Sequence, residues 1–213
     1  MKGALILLLA SALAIASGRA APIERDLGQG LVYFRVHTLP GDLPAAVLVG
    51  GHPCVLDVRY VPGGDVEATA LLGWLKRQAG IHNPVFLLAN NETSGVLLAP
   101  LNSPDAVIGL VIVGASAPNF SPDVALSVAP GDERRAYDAL EKGATIDSLI
   151  SDRVIKSRND EAALARARLS DNGADEPEAA PAAASAAQPP SVIDPVLQRA
   201  VQLHRSLLAL KRI

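Results

Sequence analysis

The segment that decides the fold is PCVLDVRYVPGGD, residues 53–65. Its first part, up to Val61, is an almost continuous apolar run, which is typical of a strand covered on both faces of a sheet. The Pro-Gly-Gly turn at 62–64 ends this strand, and Asp65 is suited to cap a helix. Apolar residues then recur on one helical face as far as Gln78. The segment therefore predicts a strand–turn–helix unit of an α/β domain.

The same alternation extends to both sides of this unit. Strands are predicted at 28–37, 84–89, 106–113 and 124–128, a short helix at 96–101, and further helices after Pro130. Strands that alternate with helices usually pair in parallel. The predicted fold class is therefore α/β, with a mostly parallel sheet flanked by helices and followed by C-terminal helices.

Residues 1–20 are predicted to form a cleaved signal peptide. Lys2 precedes an uncharged apolar run at 4–16, and small residues follow it, which is the layout that signal peptidase recognises. The run is shorter than the roughly 20 apolar residues of a membrane span. An uncleaved N-terminal anchor is the alternative interpretation. We expect a secreted or periplasmic protein with no integral membrane segment after cleavage, and no lipid anchor, because the only cysteine is Cys54.

The rest of the chain divides into three predicted parts. Residues 27–169 form the α/β domain with its helical extension, and 170–192 form an Ala/Pro-rich linker without periodicity. Residues 193–213 regain an apolar helical stripe, with Asp194 as the N-cap. We expect this amphipathic helix to dock on its own domain or, by self-association, on a sister chain. A partner protein and a membrane surface are the alternatives.

Composition argues against several classes of protein. The net charge of −3 argues against a nucleic-acid partner, and the single cysteine allows no internal disulfide. None of the four histidines lies at metal-ligand spacing from another ligand residue, and no phosphate-binding glycine motif ends in Lys-Ser or Lys-Thr. We therefore expect no metal and no cofactor.

Four residues of the opening segment are candidate binding residues, namely Asp57, Arg59, Gly63 and Gly64. Glycines at the start of a helix leave backbone N–H groups accessible, and such groups can hold an anion or the oxyanion of an acyl-transfer intermediate. The alternative is a plain strand-to-helix turn with a surface ion pair.

This segment resembles the tail-specific, or C-terminal-processing, serine peptidase family, whose domain has the Clp/crotonase type of fold. In that family a strand ends in Asp-Leu-Arg, and a short turn and Gly-Gly then lead into a helix. The matching residues here are Asp57-Val58-Arg59 and Gly63-Gly64, then PVFLLA at 84–89, the loop 91–94 and VLLAPL at 96–101, and finally 112–114 and 122–124. The resemblance implies that Ser94 corresponds to the nucleophilic serine.

The departures from the family pattern concern the catalytic groups. The family follows its serine with small residues and a glutamate, whereas Gly95 and Val96 stand here. The loop in which the family carries its lysine base is ASAPNFSPD at 115–123, which contains neither lysine nor histidine. A serine hydroxyl without a base is a poor nucleophile at neutral pH. The resemblance therefore implies the fold more than the activity.

The sequence accordingly predicts a non-catalytic, peptidase-like binding or assembly module with a protein or peptide partner. The alternative is a serine hydrolase with Ser94 as nucleophile. A rhodanese-like domain also has a strand with Asp-x-Arg, but its active loop needs a cysteine and the corresponding loop at 90–95 has none. Sulfurtransferase chemistry is therefore not expected.

Overall fold

The computed structural model describes residues 23–45, 51–103, 106–117, 120–150 and 192–213. The predicted signal peptide at 1–20, residues 151–169 of the predicted helical extension and the predicted linker as far as residue 191 lie outside the described residues. Within the described ranges, no helix is both long and apolar enough to cross a bilayer.

The strands form a single six-stranded sheet whose spatial order follows the order of the chain. They are β1 (Ile23–Asp26), β2 (Val32–Arg35), β3 (Cys54–Asp57), β4 (Val85–Leu88), β5 (Leu110–Ala115) and β6 (Val124–Leu126). The β1 strand pairs antiparallel with β2, and every later pair is parallel. The predicted α/β class with a mostly parallel sheet is therefore confirmed.

The helices lie on both faces of the sheet. They are α1 (Asp65–Gln78), α2 (Gly95–Leu98), a 3₁₀ helix (Ala99–Leu101), α3 (Pro130–Glu141), α4 (Ile146–Leu149) and α5 (Pro195–Ala209). Successive strand residues point to opposite faces, so each central strand supplies two cores. Leu56 and Leu87 pack with α1 and α2 on one face, whereas Val55 and Phe86 pack with α4 and α5 on the other.

Two predicted boundaries differ from the structure. The predicted strand at 106–113 begins only at Leu110, because Gly109 has a φ of 81°, a left-handed conformation that ends regular strand geometry. Gly64, not Asp65, is the N-cap of α1, and its backbone N–H donates to Glu67 Oε2 over 2.9 Å. The carboxylate three residues into the helix thus satisfies the backbone N–H of the N-cap residue itself.

Candidate functional site

The carboxyl ends of β3, β4 and β5 lie at one edge of the sheet, as parallel pairing requires. In open α/β sheets, ligands bind beyond this edge. The loop after β4 is fixed there by Asn90, whose Oδ1 accepts from the backbone N–H groups of Glu92 and Thr93 over 3.2 and 3.0 Å. Thr93 Oγ1 donates in turn to the carbonyl of Val58 over 3.1 Å. The loop that carries Ser94 is therefore held against the end of β3.

The structure brings Ser94 and the glycine pair together. Ser94 Oγ donates to the Gly63 carbonyl over 2.6 Å, and the Ser94 backbone N–H donates to the Val61 carbonyl over 3.1 Å. The serine proton therefore points at a carbonyl oxygen, which cannot act as a general base. The Gly64 N–H, a candidate oxyanion donor, is engaged by Glu67.

Packing against α2 explains why position 63 is a glycine. A Cβ on Gly63 would lie 2.6 Å from Leu97 Cδ2, so only glycine lets the turn approach α2 this closely. The turn therefore satisfies a requirement of helix packing.

The structure places the other two candidate residues inside the protein. Asp57 and Arg59 are both 0% exposed, so the surface ion pair considered in the sequence analysis is a buried one. Arg59 Nη2 lies 2.7 Å from Asp57 Oδ2 and 2.8 Å from Asp194 Oδ2, while Arg59 Nη1 donates to Asp194 Oδ1 over 3.1 Å. Arg59 therefore connects Asp57, at the end of β3, to Asp194, which directly precedes α5.

Asp194 binds the Arg59 guanidinium and the first backbone N–H groups of α5 at the same time. Its Oδ1 accepts from the backbone N–H groups of Val196 and Leu197 over 3.1 and 3.0 Å, which makes Asp194 the N-cap of α5 as predicted. The apolar stripe of α5, including Val196, Leu197 and Ala200, is buried on the sheet face that it shares with α4. In this structure the helix thus docks on its own domain.

Further polar side chains complete the buried cluster around Arg59. Tyr33 donates its hydroxyl to Asp57 Oδ2 over 2.7 Å, and Arg35 Nε donates to that hydroxyl over 3.0 Å. Burial alone would raise the pKa of Asp57, but the charges of Arg59 and Arg35 lower it more strongly. The pKa of Asp57 is therefore below its usual value. Burial, reinforced by Asp57, raises the pKa of Tyr33 well above its usual value. Asp57 is therefore a carboxylate and Tyr33 a neutral donor at neutral pH.

Glu133 is the least satisfied member of this cluster. Its side chain lies 3.9 Å from Arg59 Nη1 and is almost fully buried, and burial raises its pKa. Glu133 Oε1 and Asn90 Nδ2 make no hydrogen bond of good geometry with a described residue, although Asn90 lies close enough to lower the pKa of Glu133 in part. The buried cluster comprises two guanidinium groups, of Arg35 and Arg59, and three carboxyl groups, of Asp57, Asp194 and Glu133. Of these three, the Glu133 carboxyl group therefore has the least compensating charge.

A cavity of about 730 Å³ opens beside this edge of the sheet. Polar side chains dominate its described lining, namely those of Asn90, Asn91, Thr93, Asn102 and Ser121. Thr93 and Gly95, on either side of Ser94, line the cavity, but Ser94 itself is not among the lining residues. Ser94 is thus not part of the described cavity wall, and its hydroxyl contacts the Gly63 carbonyl instead.

Among the side chains that the structure describes, no group of three or more His, Cys, Asp or Glu could hold a metal ion. Comparisons of the chain with protein-family models, with curated proteins and with solved structures find no match. The resemblance to tail-specific peptidases therefore stays a prediction from the sequence.

Sequence reasoning missed three parts of this region. Asp194 was recognised as a helix cap but not as the partner of Arg59, which is 135 residues away. Arg35 and Glu133 each lie within an amphipathic element, and no local pattern marks either side chain as buried. The cavity is formed by two loops that are separate in the sequence.

Proposed function

We propose that this exported protein is a non-catalytic binding module, built on a peptidase-like domain, whose ligand occupies the cavity beyond β4 and β5. One observation carries the proposal: the cavity is lined by the residues on both sides of Ser94, while the Ser94 hydroxyl is turned to the Gly63 carbonyl. The volume of about 730 Å³ lies within the range of small-molecule sites, which is about 300–1,000 Å³.

Binding through the cavity is favoured over assembly through α5. The apolar stripe of α5 is covered by the sheet of its own domain, and its N-cap is bound by Arg59. A helix in this position would have to leave its own core before it could pair with a sister chain. Self-association through 193–213 is therefore the less favoured form of the proposal.

A fluorophosphonate probe tests the non-catalytic part of the proposal. We expect no labelling of the folded protein, because Ser94 has no base in hydrogen-bond contact among the described residues. Labelling that Ser94→Ala abolishes and Ser127→Ala retains would establish the alternative, a serine hydrolase, since Ser127 is an exposed serine beyond β6.

Nuclear magnetic resonance with a fragment library tests the binding part. Fragments that bind should shift the backbone amide signals of Thr93, Gly95 and Asn102, which surround the cavity. Ser121→Trp should fill the cavity and remove these shifts. A library that yields no binder, or binders only at other surfaces, would contradict the proposal.

A further inference from the structure

The cavity beyond β4 and β5 continues into a second one. The first measures about 730 Å³ and the second about 310 Å³, and Asn102 and Ser121 line both. The two spaces therefore adjoin along this wall. A pair of adjoining spaces suits a ligand with repeated units.

The described lining of the larger cavity contains no ionisable side chain. The smaller cavity contains Asp123, but Asp123 Oδ2 already accepts from the Ile112 backbone N–H over 2.7 Å. In the larger cavity, a charged ligand would lose hydration without gaining an opposite charge from a described side chain, and the Asp123 carboxylate of the smaller cavity disfavours an anion. The larger cavity therefore favours an uncharged ligand.

Three exposed side chains are available to bind such a ligand. Asn91, Asn102 and Ser121 line the larger cavity, and their side chains make no hydrogen bond to another described residue. Amide and hydroxyl groups both donate and accept hydrogen bonds, and so do the hydroxyl groups of a sugar. Leu98 and Phe120 supply apolar surface in the same wall, against which the C–H groups of a sugar ring can pack.

The backbone of the cavity wall distinguishes a sugar from a peptide. Ala117 and Phe120 exchange two backbone hydrogen bonds of 3.1 Å each. The β5 strand is paired on both sides, with β4 and with β6. A peptide that binds by strand addition needs unpaired backbone groups of a sheet edge, and the backbone groups of β5 are already paired here. Recognition at this site therefore depends on side chains.

We infer that the joined cavities bind a neutral oligosaccharide, an inference that rests on the proposed binding function. Asn91, Asn102 and Ser121 contact its hydroxyl groups, and Phe120 and Leu98 contact its ring faces. The shared residues Asn102 and Ser121 contact the unit at the junction of the two cavities.

The test compares two oligosaccharides of the same skeleton and length. Chitotetraose is uncharged, and its fully deacetylated form is a cation that the net charge of −3 would attract non-specifically. We expect chitotetraose to shift the amide signals around both cavities saturably, and to bind at least about tenfold more tightly than the deacetylated form. Asn102→Ala should weaken binding about fivefold, the loss expected for one hydrogen bond between neutral groups. Gln202→Ala, on the exposed side of α5 and on the other face of the sheet, should leave binding unchanged.

The outcomes separate the inference from the proposed function. Tighter binding of the deacetylated cation would overturn the inference, and so would shifts caused by a neutral capped tetrapeptide but not by chitotetraose. In both cases the cavity would still be a binding site. If neither the saccharides nor the peptide shifts the cavity signals, while the fragment library also gives no binder there, both the inference and the proposed function fail.

Discussion

Asp194→Ala should destabilise the protein more than any substitution of an exposed charge. The substitution removes the N-cap of α5, which costs about 1 kcal/mol. It also removes one partner of a buried ion pair, and losses of that kind reach about 3–5 kcal/mol. Because Asp57 still compensates Arg59, we place the combined cost in the lower part of that range, at about 3–4 kcal/mol.

The assay is urea denaturation followed by the fluorescence of Trp74. Trp74 is the only tryptophan of the chain, it is buried, and its Nε1 donates to the Pro44 carbonyl over 2.8 Å. Asp194→Asn keeps an oxygen for the helix N–H groups but removes the charge that Arg59 faces. Its cost should be intermediate, about 1.5–3 kcal/mol, the usual value of hydrogen bonds to charged groups.

Asp138→Ala is the matched control. Asp138 accepts from Arg134 Nε over 2.9 Å in a pair that solvent reaches, and such pairs contribute about 0.3–0.5 kcal/mol. If Asp194→Ala costs no more than Asp138→Ala, the buried contact between Arg59 and Asp194 does not hold α5 in place. A lower dependence of unfolding free energy on urea, with an unchanged midpoint, would instead indicate that α5 has left the folded state.

Three further predictions concern single titratable groups. Burial raises the pKa of Glu133, so the unfolded chain releases this proton first and the free energy of unfolding falls as pH rises above 4.5. Glu133→Gln should therefore match the original protein in stability near pH 4. At pH 7 the variant should have the higher urea midpoint. Burial and Arg205 lower the pKa of His204, so the unfolded chain gains this proton first and the free energy of unfolding falls as pH falls below 6.5. His204→Leu should therefore reduce the difference in unfolding free energy between pH 7.5 and pH 5.5. An unchanged difference would contradict this explanation. Burial raises the pKa of Cys54 to about 12, so a disulfide reagent at pH 8 should react only after urea unfolds the protein, and reaction with the native state would show that the thiol is accessible.

The central sheet was predictable because its signals are local. The β3 and β4 strands are short apolar runs, and each is followed by a turn residue and a helix with one apolar face. The β1 strand was not predicted, because it has four residues and three of them are exposed. β1 forms because its backbone pairs with β2, since its own sequence has no apolar strand pattern.

The candidate site was predictable only in part, because its partners are distant in the sequence. The segment at 53–65 allowed an ion pair between Asp57 and Arg59 as the alternative to a binding role, and placed that pair at the surface although the strand itself was expected to be covered. Burial follows from three contacts outside the segment, with Tyr33, Arg35 and Asp194. A buried charge requires such partners, and a local pattern cannot identify them.

The buried cluster has a function that an apolar contact would not supply. An apolar stripe with helical periodicity can pack on a sheet in more than one register, because neighbouring turns present similar side chains. A shift of α5 by one turn would move Asp194 about 5.4 Å along the helix axis and out of hydrogen-bond distance from Arg59. Such a shift would leave the fully buried Arg59 without one of its two carboxylates, which is far costlier than a change of apolar neighbours. We therefore expect the contact between Arg59 and Asp194 to specify where α5 docks, in addition to the stabilisation that the apolar stripe supplies.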